Sequence, residues 1–376
     1  MTLRDSHIPK HLWVNPGRDK WRVVRGIANI SYLVATALVL GETGIPVDRE
    51  IIIGWLVGLA MMSTLGRTRR EVIVVLLSWA PFLVALYLYD FARGAGYWLY
   101  ERKAGFELSV TPQVDLDRLL GGGRLWTERL QEWLVADLET LRGNMTGCND
   151  GRFFRPSSAV RWYDVAVSVV YTSHFVVPYL AAGYFWRKGQ RLWRWYAATF
   201  VFVSALACAV FAVAPTAPPW YAACEGLIDR FPRGLANDGW SEVGLSFASK
   251  AIRKGGQTFN PYAAIPSLHA ANAMLVSAFA WRFVHRRLRP IVWPLLVLYP
   301  LGMGFALVYS GEHYVVDIFA GFGLVALALT LGWWARQRKS WKSPWRDGPR
   351  FSPPDSAEHL TPTPDSEATP GSAGAV

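Results

Sequence analysis

Residues 315–339 read VVDIFAGFGLVALALTLGWWARQRK. A helix needs about 20 apolar residues to cross a bilayer, and 315–335 supplies them. The run holds one charge, Asp317, close to its start, and is followed by Arg336, Arg338 and Lys339. A carboxylate within a span is costly and marks a functional position by default. The basic residues at the far end mark that end as cytoplasmic.

The rest of the chain reads the same way. Of the 376 residues 52% are hydrophobic and only 18% charged, below the roughly 25% charged of an average soluble domain. The net charge of +11 raises the question of a nucleic-acid partner. The Lys and Arg, however, sit in short runs beside apolar stretches, and no zinc-finger, RNA-recognition or helix-turn-helix signature accompanies them. The partner implied is the bilayer and not a nucleic acid.

The apolar stretches predict an all-α polytopic helical bundle of about eight spans. They fall near 23–41, 51–66, 72–90, 162–185, 195–214, 267–284, 291–309 and 315–335. Basic clusters occur at Arg18 to Arg25, Arg67 to Arg70, Arg187 to Arg194, Arg282 to Arg289 and Arg336 to Lys339. With eight spans, all of these clusters lie on one side, the cytoplasmic one. The expected plan is a cytoplasmic segment 1–22, a membrane part 23–335 and a cytoplasmic tail 336–376. The tail is rich in Pro, Ser, Thr, Asp and Glu and is expected to be disordered. No cleavable leader is expected at the N-terminus.

Two long loops, 91–161 and 215–266, face the other side. In the first, Trp126, Leu130, Leu134, Leu138 and Leu141 form one apolar helical face, with Glu128, Glu132, Asp137 and Glu139 elsewhere. That helix either lies in the membrane interface or packs on the spans. Cys148 and Cys224 fall one in each loop and are candidates for a disulfide in an oxidising compartment. Cys208 lies within a span and reads as a packing residue. No Cys/His cluster has metal-ligand spacing, so neither a metal nor another cofactor is expected.

Two histidine segments open spans on the outer side. In Pro266-Ser267-Leu268-His269, Ser267 is a helix N-cap, and His269 falls in the first turn. A helix amino terminus there favours a bound phosphate. In Glu312-His313-Tyr314-Val315-Val316-Asp317, His313 and Asp317 are four apart and share a helical face. The carboxylate can fix one imidazole nitrogen and leave the other as a nucleophile. His313, Asp317 and His269 are the candidate catalytic residues.

These segments resemble the type 2 phosphatidic acid phosphatase superfamily. The Leu between Ser267 and His269 and the His313-Tyr314 pair resemble its branch containing fungal inositol phosphorylceramide synthase. Pro215 to Trp220, Tyr171-x-Ser173-His174-Phe175 and Tyr89-Asp90-x-x-Arg93-Gly94 are similar to bacterial members of that branch. The resemblance covers roughly 75–335. It implies a six-helix catalytic core, a phosphohistidine on His313, Asp317 as its orienting carboxylate, and His269 as acid and then base. It also implies a phospholipid donor and a lipid or glycan acceptor, at the outer face of an integral plasma-membrane protein.

Most phosphatases of the superfamily carry a Lys-x6-Arg-Pro motif before the first His and an Arg six residues before the second. Leu307 occupies the latter position. Arg282-x6-Arg289-Pro290 has the spacing of the former but follows His269, on the cytoplasmic side. The cations that hold phosphate are therefore sought elsewhere: Arg93 first, with Asp90 as its ion-pair partner or a hydroxyl ligand, then Lys250, Arg253 and Lys254. Ser267, Glu312 and His174 complete the substrate-binding candidates, although His174 also reads as a buried histidine satisfied by a neighbour. Phosphotransfer to an alcohol is the favoured expectation. Hydrolysis of a lipid phosphate or polyprenyl pyrophosphate is the alternative, and a transporter or scaffold without chemistry stands behind both.

Overall fold

The computed structural model describes residues 21–43, 49–80, 82–84, 87, 110–134, 161–224, 226, 228, 239–240, 242–246 and 263–338. The chain divides into two units, Met1–Gly332 and Trp333–Val376. Of the second, residues 333–338 are described. The site and the helices that follow belong to the first, except that the last helix continues to Arg338.

Among the described residues the structure is helical, apart from a single bridge between Thr216 and Ala263. The helices are α1 (Arg22–Thr43), α2 (Arg49–Met62), α3 (69–80), α4 (Thr111–Leu120), α5 (Trp126–Leu134), α6 (Trp162–Ser173), α7 (Val177–Lys188), α8 (Gln190–Val213), α9 (Pro219–Cys224), α10 (Leu268–Ala280), α11 (Arg289–Tyr309) and α12 (Val315–Arg338). Between α10 and α11 the chain makes two 3-10 turns, Trp281–Phe283 and Arg286–Leu288.

Three stretches are long and apolar enough to cross a membrane: Arg191–Val213, Arg286–Tyr309 and Val315–Ala335. A fourth is the pair α6 and α7, if the two count as one span bent by 47°. The protein is thus an all-α membrane protein, while the expectation of about eight spans and a six-helix core exceeds what the described helices carry. Helix α2 has 14 residues. Helix α10 has 13, about 20 Å at 1.5 Å per residue, against about 30 Å of hydrocarbon. The expected span 267–284 ends early: the backbone tightens into a 3-10 turn at Trp281, where Arg282 interrupts the apolar run.

Helix α10 is the axis of the bundle. Leu268, Ala270, Ala271, Ala273, Leu275, Val276 and Phe279 are all buried, so it has no solvent or lipid stripe. Helices α7, α8 and α11 pack around it, and α6 and α5 pack on α11. Small residues allow this: in a membrane bundle, attraction comes from close van der Waals packing, and alanines let backbones approach. On one side the core is aromatic, with Phe185, Trp193, Tyr196, Phe200 and Phe279 clustered. On the other, Tyr171, Leu307 and Tyr309 pack with Ala270 and Ala273.

Helix α5 packs on the bundle and does not stand apart from it. It covers the carboxyl end of α11, where Thr127 Oγ1 donates to the Val308 carbonyl and Gln131 Nε2 to that of Tyr309, both at 2.8 Å. Thr127, Glu128 and Gln131 are its buried residues. The last carbonyls of α11 need donors, which Thr127 and Gln131 supply; Glu128, expected on the open face, is buried between them in sequence and meets Arg124 at 3.9 Å. Trp133 is exposed. Leu138 and Leu141, the rest of the expected apolar face, lie outside the described residues.

Candidate active site

The His313 segment is built by the end of one helix and the start of the next. Helix α11 closes with Gly311 at φ 71°, a left-handed turn that glycine adopts without a Cβ clash. The turn aims the N–H groups of Glu312 and His313 back at one carbonyl, that of Leu307, at 2.9 and 3.3 Å. His313 is held there, 7% exposed. Helix α12 begins two residues later with Asp317 in its first turn.

Asp317 is wholly buried. Its Oδ2 accepts from the Tyr314 main chain at 3.0 Å and meets His313 Nδ1 at 3.3 Å. With the proton on Nδ1, the imidazole presents Nε2 as its lone-pair nitrogen. Oδ1 of Asp317 has no hydrogen-bond partner among the described residues.

His269 arrives on α10. The Ser267 side chain caps that helix, accepting from Ala270 N at 3.4 Å, as its position before the apolar run requires. The approach to the helix is pinned to Thr216: Ala264 N donates to the Thr216 carbonyl and Ile265 N to its Oγ1, at 3.2 and 3.0 Å. The same segment reaches the turn before His313, where Trp220 N donates to the Gly311 carbonyl at 3.1 Å. The Pro215 to Trp220 stretch thus braces both histidine segments.

The two histidine rings lie 5.7 Å apart at a steep angle. A third joins them: the His174 ring is 4.0 Å from that of His269, and Tyr171 stacks on His269 at 5.4 Å. His174 reaches this position because the span breaks at it. Pro178 opens α7, and proline cannot donate to the preceding turn, so the axis bends by 47° between Ser173 and Val177. His174 therefore sits at a bend against His269 and not within a straight span.

One residue of the site was not foreseen. Asp117, on α4, is buried, and its two oxygens accept from two helix starts: Val315 N of α12 and Trp126 N of α5, both at 2.9 Å. Burial pushes its carboxyl up from the ordinary value, the two N–H bonds oppose this, and nearby Asp317 adds to the rise. A second buried carboxylate, Asp164, accepts from the Tyr309 hydroxyl and from Arg161 N, each at 2.7 Å, and so ties α6 to the end of α11. Neither belongs to a motif.

The remaining expected residues are distributed as follows. Glu312 is half-buried beside His313. Leu307 is fully buried in the apolar cluster with Tyr171 and Ala270, so the position six residues before His313 is filled by packing. Cys224 ends α9; Cys148 lies outside the described residues, as do Asp90, Arg93, Lys250, Arg253 and Lys254. Among the described residues there is no group of three or more His, Cys, Asp and Glu able to hold a metal ion.

Residues 151–331 match the family model described as PAP2 superfamily. That stretch contains His174, His269, His313 and Asp317 but not Asp117. The phosphoinositol dihydroceramide synthase of Bacteroides thetaiotaomicron is 30% identical over 175 residues, 45% of this chain and 54% of that protein. The chain thus spans about half the length of the curated relative it matches. No solved structure matches. Residues 151–331, just under half of the chain, thus form a PAP2 superfamily domain, of the kind found in type 2 phosphatidic acid phosphatases.

Proposed function

We propose that the chain is a membrane phosphotransferase that moves a phosphorylated headgroup, inositol phosphate foremost, from a donor phospholipid to a lipid or glycan hydroxyl. The observation that carries this reading is the buried His313–Asp317 pair facing His269, with ring centres 5.7 Å apart. The name of the Bacteroides relative supplies the inositol phosphate.

The chemistry then runs through His313. Its Nε2 attacks phosphorus, an N–P bond forms, and the bond to the diacylglycerol oxygen breaks. His269 gives that oxygen a proton. Asp317, hydrogen-bonded at Nδ1, balances the positive charge on the phosphorylated ring. The acceptor hydroxyl then gives its proton to His269 and attacks phosphorus, and the N–P bond breaks. Arg93, followed by Lys250, Arg253 and Lys254, would hold the phosphate oxygens. Asp90, Glu312 and the α10 amino end at Ser267 would contact the headgroup. In this reading 23–335 is the catalytic membrane part, 1–22 and 336–376 are cytoplasmic, and the site faces outward across a plasma membrane.

The test uses purified protein in detergent with headgroup-labelled phosphatidylinositol, with and without a lipid and glycan extract. Extract-dependent release of diacylglycerol, with inositol phosphate on a new molecule, supports transfer. Intact phosphatidylinositol together with phosphate release from phosphatidate or a polyprenyl pyrophosphate would replace transfer by hydrolysis.

A further inference from the structure

The end of the bundle away from the histidines carries a second feature. Past the carboxyl end of α10, about 20 Å along that helix from His269, Trp281 and Trp293 stack face to face with centres 4.5 Å apart and planes 7° apart. Trp293 Nε1 donates to the Trp281 carbonyl at 3.3 Å. The Arg289 guanidinium lies over the Trp293 ring at 4.9 Å. Its Nε is buried and has no hydrogen-bond partner among the described residues.

Below these groups runs an apolar groove of about 540 Å³, lined by Trp281, Arg289, Trp293, Pro294, Val297 and Leu298. The α11 positions recur at helical spacing, so the groove follows one face of that helix. Val297 and Leu298 are exposed. Arg286 and Arg287, in the 3-10 turn that leads into α11, are exposed as well.

The charge is one-sided. Residues 258–311, which include both 3-10 turns and all of α11, contain no Asp or Glu. The amino end of α11 adds its own positive dipole to the arginines, so the local field favours an anion. An arginine fork presents several donors to phosphate, while tryptophans favour the boundary between headgroups and acyl chains.

We propose that this groove is a binding site for one anionic phospholipid, separate from the catalytic site. Its phosphate takes the Arg289 guanidinium, with Arg286 and Arg287 of the preceding turn adding positive charge. One acyl chain lies along Pro294, Val297 and Leu298. A zwitterionic lipid of the same chain length gains the apolar contact but adds a cationic headgroup facing three arginines. In the orientation predicted from the basic clusters, the occupant comes from the cytoplasmic leaflet. The site is independent of the chemistry at His313.

The experiment is native mass spectrometry of the full chain in detergent, titrated with phosphatidylglycerol or phosphatidylcholine of one chain length. Wild type is expected to hold one phosphatidylglycerol at least about tenfold more tightly than phosphatidylcholine, as one charge-assisted contact to Arg289 provides. Arg289→Gln and, separately, Trp293→Leu should reduce phosphatidylglycerol binding to the phosphatidylcholine level. Both should keep the lipid-free melting temperature. Equal binding of the two lipids by wild type would overturn the proposal. Undiminished binding by both variants would do the same, as would a loss seen only in Arg286→Gln/Arg287→Gln, which would indicate diffuse surface charge.

Discussion

The main-chain N–H of Ser267 donates to the carbonyl of Asp317 at 3.0 Å. This bond joins the cap of the His269 helix to the main chain of the residue whose carboxylate faces His313, although the two residues lie 50 apart in sequence. One turn along α12, Gly321 completes the contact: a Cβ there would stand 2.4 Å from the Ser267 carbonyl oxygen and 3.3 Å from Ala271 N. The spacing of the two histidines is thus set by backbone against backbone.

Gly321→Ala should accordingly push α10 away from α12, since neither neighbouring atom belongs to a flexible side chain. Overpacking of this kind costs about 1–3 kcal/mol. The expected outcome is a lower melting temperature in detergent together with loss of phosphotransfer. A variant with unchanged melting and turnover would show that the contact does not set the site.

Asp117 carries a prediction about pH. Its two N–H bonds are lost in Asp117→Ala, which should cost about 1–3 kcal/mol. Burial, reinforced by Asp317, raises its carboxyl above the ordinary value of 3.8. The native state therefore binds this proton more tightly than the unfolded chain. From 3.8 up to the raised folded value, stability falls as pH rises. Asp117→Asn removes that slope. The stability of wild type minus that of Asp117→Asn, measured by denaturant titration across this range, should decline with pH; a difference that grows would contradict the assignment.

His174 bears on the orientation of His269. With the rings 4.0 Å apart, His174→Ala leaves space beside His269, and misplacement on the order of 1 Å can cost up to about a hundredfold in rate. The effect should fall on kcat with KM little changed, and His174→Phe, which keeps a flat ring, should recover most of it. An unchanged kcat in His174→Ala would remove His174 from the account.

The features legible in the sequence are the local ones. Ser267 as a cap, His269 in the first turn, and His313 with Asp317 on one face follow from helix geometry over a few residues. The apolar run 315–335 needs only its length. The break at His174 was hidden because hydropathy stays high through 162–185, and Pro178 was the only signal. Helix α10 ends four residues before the expected span does, close to where Arg282 interrupts the apolar run. Asp117 was invisible for a different reason: its partners are 9 and 198 residues away, and no spacing rule connects a cap to a helix so distant. Glu128 misled because it is charged, yet it is buried where α5 covers the end of α11.

The central claim is that His313 becomes covalently phosphorylated. It is tested most directly by rapid quench of the wild-type protein with headgroup-labelled phosphatidylinositol, followed by peptide mass spectrometry under conditions that preserve phosphohistidine. The account predicts inositol phosphate on His313, absent from His313→Ala and absent again once acceptor is added in excess. Turnover of the labelled lipid with no adduct on His313, or with turnover retained in His313→Ala, would contradict it.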